Sequence, residues 1–112
     1  NHYVRVFNVF IPAGKTTLFH NHLYDGVGVR ITDARVKDEP QGGAAEEFSL
    51  KRGDVSFARR PSPLIHRVVN IGDTPFHNIF VEILPSSGAS NVETPPANVA
   101  GYTLALENDR LR

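Results

Sequence analysis

Short runs rich in Val, Ile, Phe and Thr recur between Gly and Pro punctuation along most of this chain, and no stretch carries the apolar period of an amphipathic helix. Runs of that kind fold as the strands of an all-β sandwich or barrel. Tyr3 to Ile11 reads as the first strand, stopped by Pro12-Ala13-Gly14, and Thr16 to His22 as the second. Leu23-Tyr24-Asp25-Gly26 supplies a turn. Val27, Val29 and Ile31 then alternate with Gly28, Arg30 and Thr32 in a half-buried strand that continues to about Lys37. Asp38 to Gly43 has the composition of a loop. Glu47 to Leu50, Val55 to Ala58, His66 to Asn70 and Phe76 to Leu84 supply four more strands, with Lys51-Arg52-Gly53-Asp54 and Asn70-Ile71-Gly72-Asp73 as turns.

Composition narrows the function classes. A chain of 112 residues builds one core and not two. Lys plus Arg equals Asp plus Glu at 12 each, so the basic excess that recruits nucleic acid or an anionic membrane is missing. Cysteine is absent, which excludes a disulfide frame and a thiolate site; any metal must rest on nitrogen and oxygen ligands. No apolar run approaches the roughly 20 residues of a membrane-spanning helix, and the N-terminus lacks the basic and apolar regions of a signal peptide. The first residue is not Met, so both a cytoplasmic location and export after signal removal stay open.

Two imidazoles at His20 and His22, spaced i, i+2 on a strand, point to one face about 6.6 Å apart at Cα, a spacing that suits a shared metal. Gly14 stands six residues upstream of His20, and a second cluster runs Gly53, then Pro61-Ser62-Pro63-Leu64-Ile65-His66, then Asn70. Together these resemble the two motifs of the cupin family. The first motif there is Gly, five residues, His-x-His, three or four residues, Glu; Gly14 to His22 follows it until the Glu is due. The second is Gly, five residues, Pro-x-Gly, two residues, His, three residues, Asn. Gly53, Pro61, His66 and Asn70 fill that frame, with one or two extra residues after Gly53 and with Pro63 where the family has Gly.

The resemblance extends over about Val4 to Leu84. It implies a small cupin barrel of the double-stranded β-helix, or jelly-roll, type, holding one divalent metal (Fe, Ni, Zn or Mn) through His20, His22 and His66. It also implies a small organic ligand or substrate and a homodimer. Two function classes follow from it. One is a three-His metalloenzyme of dioxygenase or isomerase type, hence a candidate metal-dependent oxidoreductase. The other is a non-catalytic barrel that binds or senses a small ligand, or a degenerate half of a two-cupin protein.

Where the resemblance requires Glu, this chain has Gly26 or Val27, and neither can ligate. Asp25 is the nearest carboxylate. If Asp25 shares the inward face with Val27, Val29 and Ile31, it replaces Glu with a shorter arm; if Gly26, Gly28 and Arg30 face inward, the site is three-His. Asp-Gly is a strong turn dipeptide, so a turn role for Asp25 is the preferred reading. Other candidates for orienting ligands or binding substrate are Tyr24 through its phenol, Arg30 and Arg60 through a substrate carboxylate, and His77. Alternation groups His77 with Ile79, Val81 and Ile83, favouring a strand histidine packed or hydrogen-bonded beside the core. Glu82 falls on the opposite face with Asn78 and Phe80 and reads as a surface charge.

Residues 1–84 are therefore assigned to the barrel, 85–101 to a linker rich in Ser, Ala, Asn and Pro, and 102–112 to a terminal strand or the start of a second cupin repeat. The second alternative rests on an echo of Asn1-His2-Tyr3-Val4-Arg5 in Asn108-Asp109-Arg110-Leu111-Arg112. The alternation in Tyr102-Thr103-Leu104-Ala105-Leu106 favours a strand docked on this barrel. Both faces of the first strand are apolar, with Val4, Val6 and Phe10 on one and Tyr3, Phe7 and Ile11 on the other, so one face can serve the core and the other a partner.

Overall fold

The computed structural model describes residues 2–85; the linker beyond Pro85 and the strand or second repeat over 102–112 lie outside them. Eight strands follow in order: β1 (Val4–Ile11), β2 (His20–His22), β3 (Gly26–Arg30), β4 (Ala34–Pro40), β5 (Glu46–Leu50), β6 (Val55–Ala58), β7 (Leu64–Asn70) and β8 (Phe76–Ile83). They form two four-stranded sheets, β1-β8-β3-β6 and β2-β7-β4-β5, with every pairing antiparallel. Only β4 and β5 are neighbours both in sequence and in a sheet, and this order is that of a double-sheet jelly roll built from Greek keys. Among the described residues no helix is long and apolar enough to cross a membrane.

The two inner faces differ along their length. At one end Ile11 and Phe76 from the first sheet pack with Ala34 and Val36 from the second, joined by Val9, Leu50 and Val68, and exclude water. Toward the other end the inward positions become polar, with His66 and Glu82 buried. Burying such groups is costly unless they find partners, so this end of the barrel is where function is to be sought.

Turn chemistry fixes the ends of the strands. Gly14 and Gly53, the leading glycines of the two motifs, adopt φ of +68° and +87°, a left-handed conformation that favours glycine. The Gly14 amide donates to the Asn70 carbonyl. Asn70 is fully buried; its Nδ2 donates to the carbonyls of Ile11 and Thr74, and its Oδ1 accepts from the Gly72 amide. This side chain therefore fastens the β7–β8 turn to the end of β1.

Four expectations need correction. The strand expected over Thr16 to His22 is interrupted: Thr16 bridges to Val69, Leu18 and Phe19 turn outward, and the ladder resumes at His20. The strand expected to run unbroken to Lys37 is two strands parted at Ile31-Thr32-Asp33, because the chain changes sheets there. The second of these continues to Pro40, so Asp38 belongs to a strand and not to a loop; pairing with β7 overrides the turn propensity of Asp38-Glu39-Pro40. Glu82 is not a surface charge but is 3% exposed, on the inward face with Phe76, Asn78 and Phe80. The apolar alternation Ile79, Val81, Ile83 belongs to the half-buried outer face of β8, which lies between β1 and β3.

Candidate metal centre

β2 and β7 pair so that His20 stands directly opposite His66, and His22 lies two residues along on the same face as His20. The ring centroids are 4.6 Å apart for His20 and His66, 5.0 Å for His20 and His22, and 5.1 Å for His22 and His66. One ring nitrogen from each of the three lies within 4.8 Å of the others. Histidines more than 40 residues apart in the chain, one pair from the first motif and one from the second, are thus brought to one point by a single strand pair.

Two of the three rings are held from behind by a hydrogen bond. His66 Nδ1 lies 2.6 Å from Asp38 Oδ1, and an ionised carboxylate can only accept, so Nδ1 carries a proton and, in the neutral ring, Nε2 keeps its lone pair. That Nε2 is buried and has no hydrogen-bond partner. His20 Nδ1 donates to the Leu18 carbonyl at 2.9 Å, which leaves its Nε2 free in the same way. The interruption of the strand at Leu18 is what turns this carbonyl toward the ring. His22 Nδ1 lies 3.6 Å from Glu82 Oε1, and the edge of the ring rests on Phe80 with centroids 5.0 Å apart.

The His22 pKa is lowered to about 4, first by burial and then by the neighbouring His66, His20 and Arg60, against a smaller opposing effect of Asp38. His22 is therefore neutral near pH 7, the form in which imidazole ligates. Three convergent imidazoles, two with a buried nitrogen that lacks a partner and two with Nδ1 engaged from behind, fit a divalent metal. The orienting partners are those that metal-bound histidines ordinarily have.

The register question for β3 has a definite answer. Gly26, Gly28 and Arg30 face inward; a Cβ at Gly26 would lie 2.5 Å from Phe80 Cζ and 2.8 Å from the Val81 carbonyl oxygen. Position 26 has no room for a side chain, so the cluster is three-His without a carboxylate from β3. Asp25 is not part of it: Asp25 Oδ1 accepts from the Arg60 amide at 2.6 Å, in the turn role preferred above.

The remaining candidates are dispersed. Arg30 lies inside the barrel, donating to Asn78 Oδ1 at 2.6 Å and Ser56 Oγ at 3.1 Å, and burial holds its pKa below the usual arginine value. Tyr24 and Arg60 line a cleft of about 290 Å³ together with Leu23, Arg59 and Ile83; none of the three histidines lines it. His77 is on the outer face, its Nε2 2.7 Å from Asn8 Oδ1 and its ring against Phe10, away from the cluster. Sequence reasoning missed Asp38 and Glu82. Running the inward alternation of Ala34 and Val36 two residues further reaches Asp38, while nothing in the apolar pattern marks Glu82.

No family model and no curated protein matches the chain. Solved structures do. A cupin domain from Bordetella pertussis Tohama I is 32% identical, with 76% of this chain and 85% of that one covered and a TM-score of 0.67. An RmlC-like cupin family protein with a double-stranded β-helix fold from Methanocaldococcus jannaschii is 13% identical over 75% of this chain and 72% of that one, TM-score 0.59. A protein with a double-stranded β-helix domain from Klebsiella pneumoniae is 20% identical over 80% and 73%, TM-score 0.57. Fold and cluster together define a small jelly-roll barrel with a three-imidazole centre. The chain belongs to the cupin superfamily.

Proposed function

We propose that this cupin holds one divalent metal ion through His20, His22 and His66 and uses it on a small organic molecule, as an oxygen-using or isomerising metalloenzyme. The observation that carries the reading is the convergence of the three rings with Asp38 behind His66 and the Leu18 carbonyl behind His20. An all-imidazole donor set suits Fe, Ni or Zn and, with less preference, Mn; it does not suit Mg or Ca.

When bound, the ion supplies Lewis-acid or redox chemistry at coordination positions that three ligands leave open. The chain's own residues do the rest. Asp38 and the Leu18 carbonyl hold Nδ1 of two ligands, Phe80 packs against His22, and Arg60 with Tyr24 lines a separate cleft whose guanidinium and phenol suit a carboxylate. Metal analysis of protein purified without added metal tests the reading: about one equivalent of a single divalent ion supports it, and failure to bind Fe, Ni, Zn or Mn on titration overturns it. A homodimer belongs to the same proposal. Val6 and Phe10 on the outer face of edge strand β1 are 60% and 58% exposed, and a second copy would cover them.

A further inference from the structure

Position 26 of β3, which cannot carry a side chain, is the direct cross-strand partner of Glu82 on β8. In the next strand over, Glu82 is also the partner of Arg5 on β1. The row Arg5, Glu82, Gly26 therefore crosses the inner face of the first sheet, and its only carboxylate comes from the middle strand. Because Gly26 adds no atoms beyond its backbone, Phe80 fills the space over it and Glu82 is packed at 3% exposure.

A carboxylate buried to that extent needs compensation, since desolvating it without a partner costs several kcal/mol. Only two polar groups approach it in the ion-pair geometry of the described residues. Arg5 Nε lies 3.6 Å from Glu82 Oε2, and His22 Nδ1 lies 3.6 Å from Glu82 Oε1. His22 Nδ1 is itself buried without a hydrogen-bond partner, as is Glu82 Oε2. A closing movement of less than 1 Å brings Oε1 to hydrogen-bond distance of Nδ1. Glu82 does not join the group of mutually close ligand atoms, which holds the three imidazoles alone. It lies behind His22, as Asp38 lies behind His66.

We propose that Glu82 is the positioning residue of this centre: its carboxylate, braced by Arg5, accepts the Nδ1 proton of His22 and so presents Nε2 to the other two histidines. The carboxylate absent from β3 is thereby supplied from the neighbouring strand, with a different task, orienting a ligand instead of being one. All three ligands then share one arrangement, Nδ1–H donated outward to the carbonyl of Leu18, the carboxylate of Glu82 or the carboxylate of Asp38. The inference rests on the metal reading for the purpose of the arrangement, but the tautomer it assigns is a property of the metal-free chain.

Two measurements test it separately. In metal-free protein, nitrogen-resolved NMR of the imidazoles reads the His22 tautomer directly: Nδ1–H is expected in the wild type, and loss of that preference in Glu82→Ala with the His66 tautomer unchanged. An Nε2–H tautomer of His22 in the wild type overturns the proposal whether or not metal binds. In cobalt-loaded protein, Glu82→Ala should weaken Co(II) binding about 10- to 100-fold, and Glu82→Gln, whose amide oxygen can still accept, by less, with the visible ligand-field spectrum of the bound ion unchanged. A spectrum altered in Glu82→Gln makes Glu82 a ligand and refutes the positioning role, as does an affinity untouched in both variants. Failure of the wild type to bind any divalent ion while the tautomer is as assigned rejects the proposed function and keeps the Glu82–His22 pair. Circular dichroism on each variant guards against unfolding, for which the isosteric Glu82→Gln is the safer substitution.

Discussion

Asp38 Oδ1 lies 2.6 Å from His66 Nδ1, reaching diagonally across the β4–β7 pair, where Asp38 itself is opposite Val68 and His66 is opposite Pro40. The contact orients the only one of the three imidazoles that comes from the second motif. Asp38→Ala should therefore lower divalent-metal affinity about 10- to 100-fold without unfolding the barrel, as loss of an orienting carboxylate does at other histidine-bound metals. Competition against a chromophoric chelator measures this; unaltered affinity would show that the pair is only structural.

Acid should destabilise the metal-free protein through His22. Its pKa is about 4 in the folded chain against 6.5 for an ordinary histidine, so between those values the unfolded chain binds a proton that the folded chain refuses. The contribution is constant above about pH 6.5, is lost as pH falls toward 4, and is constant again below. His22→Phe preserves the ring against Phe80 and removes the titration. The thermal midpoint of the wild type should fall faster than that of the variant across this window, whereas parallel curves would contradict the assignment.

Gly26→Ala places a methyl group 2.5 Å from Phe80 Cζ and 2.8 Å from the Val81 carbonyl oxygen. Overpacking of this kind costs about 1–3 kcal/mol, which lowers the midpoint of a domain this size by several degrees or more. A midpoint within 1–2 °C of wild type by calorimetry would mean that β3 and β8 part easily here.

Asp25 separates a turn role from ligation. Asp25→Asn keeps an oxygen that can accept from the Arg60 amide, so both metal affinity and stability should stay near wild type. Asp25→Ala removes the acceptor and should cost about 1–3 kcal/mol in denaturant unfolding with metal stoichiometry preserved. Loss of metal in Asp25→Asn with the fold intact would make Asp25 a ligand.

How far the sequence could be read depended on which forces set each element. The glycines, the His-x-His pair and the Pro61-to-Asn70 segment act locally, so the strand pattern was legible from the residues themselves, while the barrel type and the trio of histidines came from their resemblance to the two cupin motifs. The inward face of β8 was not, because the rule that apolar residues point inward fails where a barrel lines a polar site: Asn78 and Glu82 face in while Ile79 and Val81 face out. The same rule left the facing of β3 undecided, since Gly26 and Gly28 give no hydropathy signal although both are inward and buried. Asp38 was hidden for a different reason. Its neighbours Pro40, Gly42 and Gly43 are turn formers, and only pairing with β7, distant in sequence, extends the strand through it. The partners behind the ligands were thus the least legible part, because they depend on registry between strands and not on any local motif.

Association through the outer face of β1 would be visible by light scattering at micromolar concentration as twice the chain mass. Val6→Glu together with Phe10→Glu should then yield monomers that retain the three-histidine centre. A monomer mass for the wild type at high concentration would remove the dimer from the account.

The central claim is that His20, His22 and His66 together hold a metal, and elemental analysis of wild type, His66→Ala and His77→Ala, each purified without added metal, tests it most directly. The account predicts about one divalent ion per chain in the wild type and in His77→Ala, whose ring lies on the outer face beside Asn8, and almost none in His66→Ala. Metal retained undiminished in His66→Ala, with the fold intact, would contradict it.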